Sequence, residues 1–272
     1  MNAPNASESE GYEAFYRDFD SPLMCSLRRE AYGEDVGQHS WVTAAELRAA
    51  ISHLELTASS RFLDLGSGPC GPLTFVLATV GCSGTGVEIS PAALEAGRRR
   101  ADVLRVDHLL TTRQADLDQP LPLESASFDA AMSLDVLLHL RDRATFFRET
   151  ARVLTPGGRF LLTDAGVITG SVSNDEVHRR SAHGPIQLVV TGWNERLLEA
   201  AGFRLIQTED RTANVLQNAG GRLAVLQRRR AEFEQAWGAV VLQSQQRYLE
   251  VVVEWARRKA VSRIAYVAEL RG

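Results

Sequence analysis

The sequence predicts an α/β fold: a doubly wound, mainly parallel sheet with helices on both faces, a helical segment ahead of it and a helical insertion late in the chain. Three observations predict it. Short apolar strands alternate with helical stretches from about residue 61 to 164, a rhythm that joins parallel strands through crossover helices. The first strand runs into a glycine-rich turn at 66–71 that opens a helix. The 272 residues, 44% hydrophobic and 24% charged, suffice for one large core.

Taken in order, residues 1–10 are poor in apolar residues and rich in Ser, Asn and Glu, which predicts a flexible tail. Residues 11–58 read as a helical lid, in which Thr43 and Glu46 form a capping box opening an apolar-periodic stretch to Leu56. The domain proper is expected over 59–272. Its strands are predicted at 61–65, 84–89, 110–115, 128–133, 158–164 and 203–208, where apolar and β-branched residues cluster between turn signals. Helices fill the gaps: one begins at Pro91 behind the Ser90 cap, one runs through Leu154, and one covers about 194–201. A long amphipathic helical insertion is expected over about 213–258, with Trp237 and Tyr248 among its larger side chains, either capping a pocket, forming a dimer surface or acting as scaffold. The β-rich run 262–270 then returns to the sheet as an edge or antiparallel strand.

A net charge of −4 argues against nucleic acid or an anionic membrane as partner. The basic residues are 29 Arg and the single Lys259, a bias that discounts runs of arginine as signals. Three cysteines, Cys25, Cys70 and Cys82, are too few for a disulfide framework or thiolate cage. No apolar run of about 18 residues occurs, and the first ten residues lack the basic start and apolar core of a signal peptide, so a cytoplasmic protein, monomeric or homodimeric, is expected.

The glycine turn reads Leu63-Asp-Leu-Gly66-Ser-Gly68-Pro-Cys-Gly71, a G-x-G-x-x-G that any adenosine cofactor can use. Asp64 separates the candidates. A carboxylate two residues before the first glycine repels a pyrophosphate and attracts an ammonium group. Glu88 at the end of the second strand suits a ribose diol, and Asp116 after the third suits an adenine amino group. Three carboxylates at successive strand ends favour S-adenosylmethionine over the alternative, an NAD-linked oxidoreductase.

These residues, with GVEIS (86–90), ADL (115–117), SFDAAMSLDVLLHL (127–140) and ARVLTPGGRFLLTD (151–164), make the chain resemble the class I S-adenosylmethionine-dependent methyltransferases over about residues 40–210. The resemblance implies a Rossmann-like, seven-stranded sheet with an antiparallel C-terminal strand. It also implies a cofactor site lined by Asp64, Gly66, Ser67, Gly68, Glu88, Ile89, Asp116 and Leu117, with Ser133 near the end of the fourth strand.

On the acceptor side His139 follows Asp135 by four residues, so a helix starting there would put both on one face and make His139 the candidate base and Asp135 a substrate contact. The stretch 133–140 is similar to that of phosphoethanolamine methyltransferases, in which a histidine assists catalysis. In related enzymes a Gly- and Ser-containing stretch before the first core helix covers the cofactor, which carries over to Ser40. The paired glycines usual there are missing, which sets aside the phosphobase substrate. Tyr16, Tyr32, His39 and Trp41 form either an aromatic lid, with Tyr32 and Trp41 on the substrate, or a packing face. Pro69-Cys70 lies in the cofactor loop, the wrong place for a cytosine-attacking thiolate, and no aromatic-capped Pro-Pro stretch follows the fourth strand to grip a flipped base. Asp135 and Asp164 are too thin a set for Mg²⁺, so no metal is expected. The expected function is methyl transfer to a small-molecule O, N or C nucleophile, the alternative being a non-methylating reaction such as cyclisation.

Overall fold

The computed structural model describes residues 16, 18–181 and 184–272; the expected tail 1–10 and the start of the expected lid lie outside them. Helices α1 (Pro22–Tyr32) and α2 (Ala44–His53) come first, and α2 opens with the capping box between Thr43 and Glu46. The βα series follows: β1 (Arg61–Leu65), α3 (Gly71–Val80), β2 (Ser83–Glu88), α4 (Pro91–Val103), β3 (Leu110–Gln114) and β4 (Phe128–Leu134). Next come α5 (Arg143–Val153), β5 (Leu154–Ile168), α6 (Asn174–Arg180), the two-residue β6 (Val189–Val190), α7 (Trp193–Ala200) and β7 (Phe203–Asp210). Three helices, α8 (Thr212–Arg228), α9 (Arg230–Trp237) and α10 (Ala239–Arg257), precede β8 (Val261–Leu270).

The sheet order is β3-β2-β1-β4-β5-β8-β7, with β6 paired to β5. Strands β1 to β5 are parallel, while β8 is antiparallel to both β5 and β7. Residues 262–270 are therefore antiparallel as expected, but interior and not an edge, because β7 occupies the rim. The chain winds outward from β1 through β3, then crosses back to β4, so the crevice at the carboxyl ends of β1 and β4 is the topological switch point.

Alternation along the strands divides the core in two. Phe62 and Met132 face one side with Leu47, Leu73 and Leu77, whereas Leu63 and Ala131 face the other with Phe146, Phe147 and Phe160. A third core lies off the sheet, where Met24 and Leu27 of α1 and Trp41 pack on Ala219, Phe233, Leu249 and Val252 of the insertion. The insertion is thus the packing partner of the N-terminal segment. It is also three helices and not one, broken at Arg229 and at Gly238, whose φ of 80° no helix accommodates.

Candidate functional site

At the switch point β1 ends in the expected turn. Gly66 has φ +76°, and a Cβ there would lie 2.4 Å from Val136, so the turn packs directly under the loop after β4. Gly71 is confined by tertiary contact: a Cβ would sit 1.9 Å from the Gly37 carbonyl oxygen. The segment between α1 and α2 therefore presses backbone to backbone on the glycine loop. Above it, the Tyr16 hydroxyl and His39 Nδ1 are 3.2 Å apart with their rings edge to face, and the same hydroxyl is 3.8 Å from where a Gly68 Cβ would be.

Asp64 is 2% exposed and receives no hydrogen bond or ion pair among the described residues. Burial, reinforced by the Glu88 charge, pushes its carboxyl up to about 8. Glu88 is fixed by backbone amides: Gly68 N donates to Oε2, and the Ile89 and Ser90 amides donate to Oε1, each at 3.0 Å. Ser67 is buried beside Cys70, whose Sγ donates to its Oγ over 3.5 Å, and Ile89 is exposed at the mouth. Asp116 accepts from the Asp118 amide and stands 3.8 Å from Arg141, with Leu117 buried next to it. Ser133 is buried and donates to the Leu65 carbonyl at 2.8 Å, tying β4 to β1 under the turn. The Ser40 Oγ is buried with no partner among the described residues. A buried carboxylate lacking a cation, a carboxylate held at the end of β2 and glycines stripped of side-chain bulk fit a cofactor with an amino-acid ammonium, a ribose and no phosphate.

The acceptor side departs from expectation. No α-helix starts after β4. Asp135 takes φ +61° and is followed by a 3₁₀ turn, Leu137–His139, so Asp135 and His139 do not share a helical face. The Asp135 carboxylate turns inward, its side chain 5% exposed: Oδ1 accepts from Arg263 Nε and Thr163 Oγ1, both at 2.8 Å, and Oδ2 accepts from the Trp41 amide at 2.9 Å. Arg263, near the start of β8, also donates to Glu46 Oε1 at 2.6 Å. The expected substrate contact is instead a buried knot joining β8, β5, α2 and the loop after β4. Asp164 is likewise engaged, by Arg143 and Asn194.

His139 is exposed at the end of the 3₁₀ turn, and its ring faces the Pro185 carbonyl. Desolvation and the nearby Arg180 charge push its pKa down to about 4, so it is neutral near pH 7. The Tyr32 hydroxyl donates to the Ser40 carbonyl at 3.3 Å, while Trp41 is held through its carbonyl by Asn218 Nδ2 at 2.8 Å and lies under the Arg222 guanidinium. Arg263, Arg180 and Arg222 were hidden in the sequence by the arginine bias. Of the three, Arg263 left a partial signal, a charge directly before the apolar run 264–268.

A glycine turn at the switch point, carboxylates at the ends of β1 and β2 and an enclosing N-terminal segment define a nucleoside-cofactor domain of the doubly wound class. A methyltransferase domain family model matches residues 63–162. The 27-O-demethylrifamycin SV methyltransferase of Amycolatopsis mediterranei is 30% identical over 214 residues, covering 77% of this chain and 78% of the relative. The chain belongs to the S-adenosylmethionine-dependent methyltransferases, an enzyme family acting on small molecules, and S-adenosylmethionine is its cofactor. Among solved structures, Haemonchus contortus phosphoethanolamine N-methyltransferase 2, with phosphomonomethylethanolamine and S-adenosylhomocysteine, shares the fold at TM-score 0.78 and 19% identity, over 94% of this chain and 60% of that one. The [4+2]-cyclase SpnF does so at TM-score 0.75 and 20% identity, over 100% and 99%. No helix among the described residues is long and apolar enough to cross a membrane.

Proposed function

We propose that the enzyme methylates a hydroxyl of a small molecule, with His139 as the proton acceptor. The observation that carries this reading is the place of His139, beside the end of β4 with the Pro185 carbonyl to fix one ring N–H, which leaves the other nitrogen as an acceptor. S-adenosylmethionine supplies an electrophilic methyl on sulfur. The acceptor oxygen takes the methyl carbon as the carbon–sulfur bond breaks, the electron pair stays on sulfur, and the hydroxyl proton passes to His139. Asp64 holds the ammonium, Glu88 the ribose diol and Asp116 the adenine edge, with Gly66, Ser67, Gly68, Ile89, Leu117, Ser133 and Ser40 shaping the cleft. Residues 11–58 act as the lid of the domain formed by 59–272, with Tyr32 and Trp41 toward the acceptor. An ammonium acceptor is disfavoured, because Asp135 and Asp164 already face Arg263 and Arg143.

His139→Ala should lower single-turnover methyl transfer by roughly 10²- to 10⁴-fold with S-adenosylhomocysteine affinity unchanged, the deficit shrinking as rising pH ionises the acceptor. A near-normal rate in a variant with a lowered melting temperature would remove the base role. The full-length likeness to a cyclase supports a second reading, a non-methylating reaction with the cofactor bound. Turnover of a substrate without release of S-adenosylhomocysteine would favour it.

A further inference from the structure

Five arginines are buried among the described residues: Arg28, Arg143, Arg180, Arg222 and Arg263. Burying a guanidinium costs several kcal/mol unless an anion answers it, and three of the five are answered. Arg28 pairs with Asp35, Arg143 with Asp164, and Arg263 with Asp135 and Glu46. Arg180 and Arg222, 6% and 7% exposed, have no carboxylate partner among the described residues. Both instead lie over aromatic rings, Arg180 4.6 Å from the Tyr248 centroid and Arg222 5.6 Å from that of Trp41.

The two are joined through one cluster. Arg222 faces the Tyr32 hydroxyl, Tyr248 stands close to Tyr32, and Arg180 lies between Tyr248 and His139. Tyr32, Gln38, His39 and Arg222 border a single small cavity between the N-terminal segment and the insertion. Arg222 borders that cavity, whereas Arg180 does not line it and stands with Tyr248 beside His139, and tyrosines supply hydroxyls and apolar faces around the two cations.

We propose that the acceptor carries an oxyanion, a carboxylate or a phosphate, bound by Arg180 and Arg222 between the rings of Tyr32, Trp41 and Tyr248. This rests on the reading of His139 as facing the acceptor, and it adds the substrate class: an anionic hydroxy compound whose charged end is gripped by α6 and the insertion while its hydroxyl reaches His139. Arginine suits the task because its planar fork matches both oxyanions and stacks on aromatic rings.

The test titrates benzoate, phenyl phosphate and neutral benzamide into protein saturated with S-adenosylhomocysteine, read by calorimetry. At least one anion should bind saturably and at least tenfold more tightly than benzamide, the stronger of the two naming the oxyanion. Arg180→Gln and Arg222→Gln should each cut anion affinity fivefold or more, leaving benzamide and S-adenosylhomocysteine binding unchanged. The proposal is overturned if neither anion binds saturably, if benzamide binds as well, or if the preference survives the double substitution. Should a glutamine variant not fold, the wild-type comparison decides alone. Failure of S-adenosylhomocysteine to bind would sink the cofactor-site reading instead, a separate observable in the same titration.

Discussion

Glu88 shows why a single carboxylate in this site has two jobs. Three backbone amides converge on it, so it closes the turn after β2 and clamps the glycine loop through Gly68. The ribose diol is a further, proposed partner. Glu88→Ala should weaken S-adenosylhomocysteine binding by about 1.5–3 kcal/mol, the scale of hydrogen bonds to a charged group, measured by calorimetry. Because the amides lose their acceptor, the unliganded variant should also melt earlier. Unchanged affinity in a folded variant would take Glu88 out of the site. Asp64 differs in kind: it has no hydrogen-bond or ion-pair partner among the described residues and its carboxyl is pushed up to about 8, so it must ionise to meet an ammonium. Cofactor binding should then release a proton, and affinity should rise with pH from 6.5 to 8 and level off above it. Calorimetry in buffers of different ionisation enthalpy reads that proton directly, and Asp64→Asn should abolish it.

Among the elements, β8 is the one on which the site depends most indirectly. Its Arg263 reaches across β5 to Asp135, fixing the left-handed kink from which the 3₁₀ turn presents His139, and on to Glu46, anchoring α2. Replacing Arg263 by Met leaves two carboxylates buried without a cation, which should cost about 3–5 kcal/mol by denaturant unfolding. Adding Asp135→Asn should recover part of that loss, since the two changes act on one network. Full additivity of the two would mean that the pair is not coupled. The insertion α8–α10 belongs to the same scale, because its packing on α1 makes the N-terminal segment part of the fold and not an appendage.

At the scale of the whole molecule, that third core packs the N-terminal segment onto the insertion, which predicts that they unfold together. Leu27→Ala, deep in it, should cost about 2–5 kcal/mol and lower a single melting transition without splitting it. A separate early transition would make the lid an independent unit. Stability of the unliganded protein should also carry the signature of Asp64. Its carboxyl is raised in the fold, so between its ordinary pKa near 4 and about 8 the unfolded chain has lost the proton that the native state keeps, and stability falls as pH rises. His139 acts in the opposite sense, but only between about pH 4 and 6.5, where the unfolded imidazole binds a proton that the native ring refuses. From pH 6.5 to 8 the His139 contribution is spent and the Asp64 slope remains. Denaturant midpoints there should fall with pH in the wild type and flatten in Asp64→Asn.

What the sequence determined by itself is what short stretches of chain encode: the βα rhythm, the Thr43–Glu46 cap, the glycine turn, and the ordered carboxylates Asp64, Glu88 and Asp116 at strand ends. Each depends on neighbours a few residues away, so local pattern is enough to read it. The tertiary structure decided the rest. The run 262–270 carries the alternation of any strand, and only packing of β7 outside it makes β8 interior and sets Arg263 beside Asp135, 128 residues distant. Where a helix was expected directly after β4, Asp135 takes φ +61° and its carboxylate joins the knot with Arg263 and Thr163, contacts that lie far away in the chain. No sequence spacing distinguishes Arg180 and Arg222 from the 27 other arginines. What sets them apart is burial without a carboxylate partner among the described residues, a property that exists only once helices distant in the chain have closed around them.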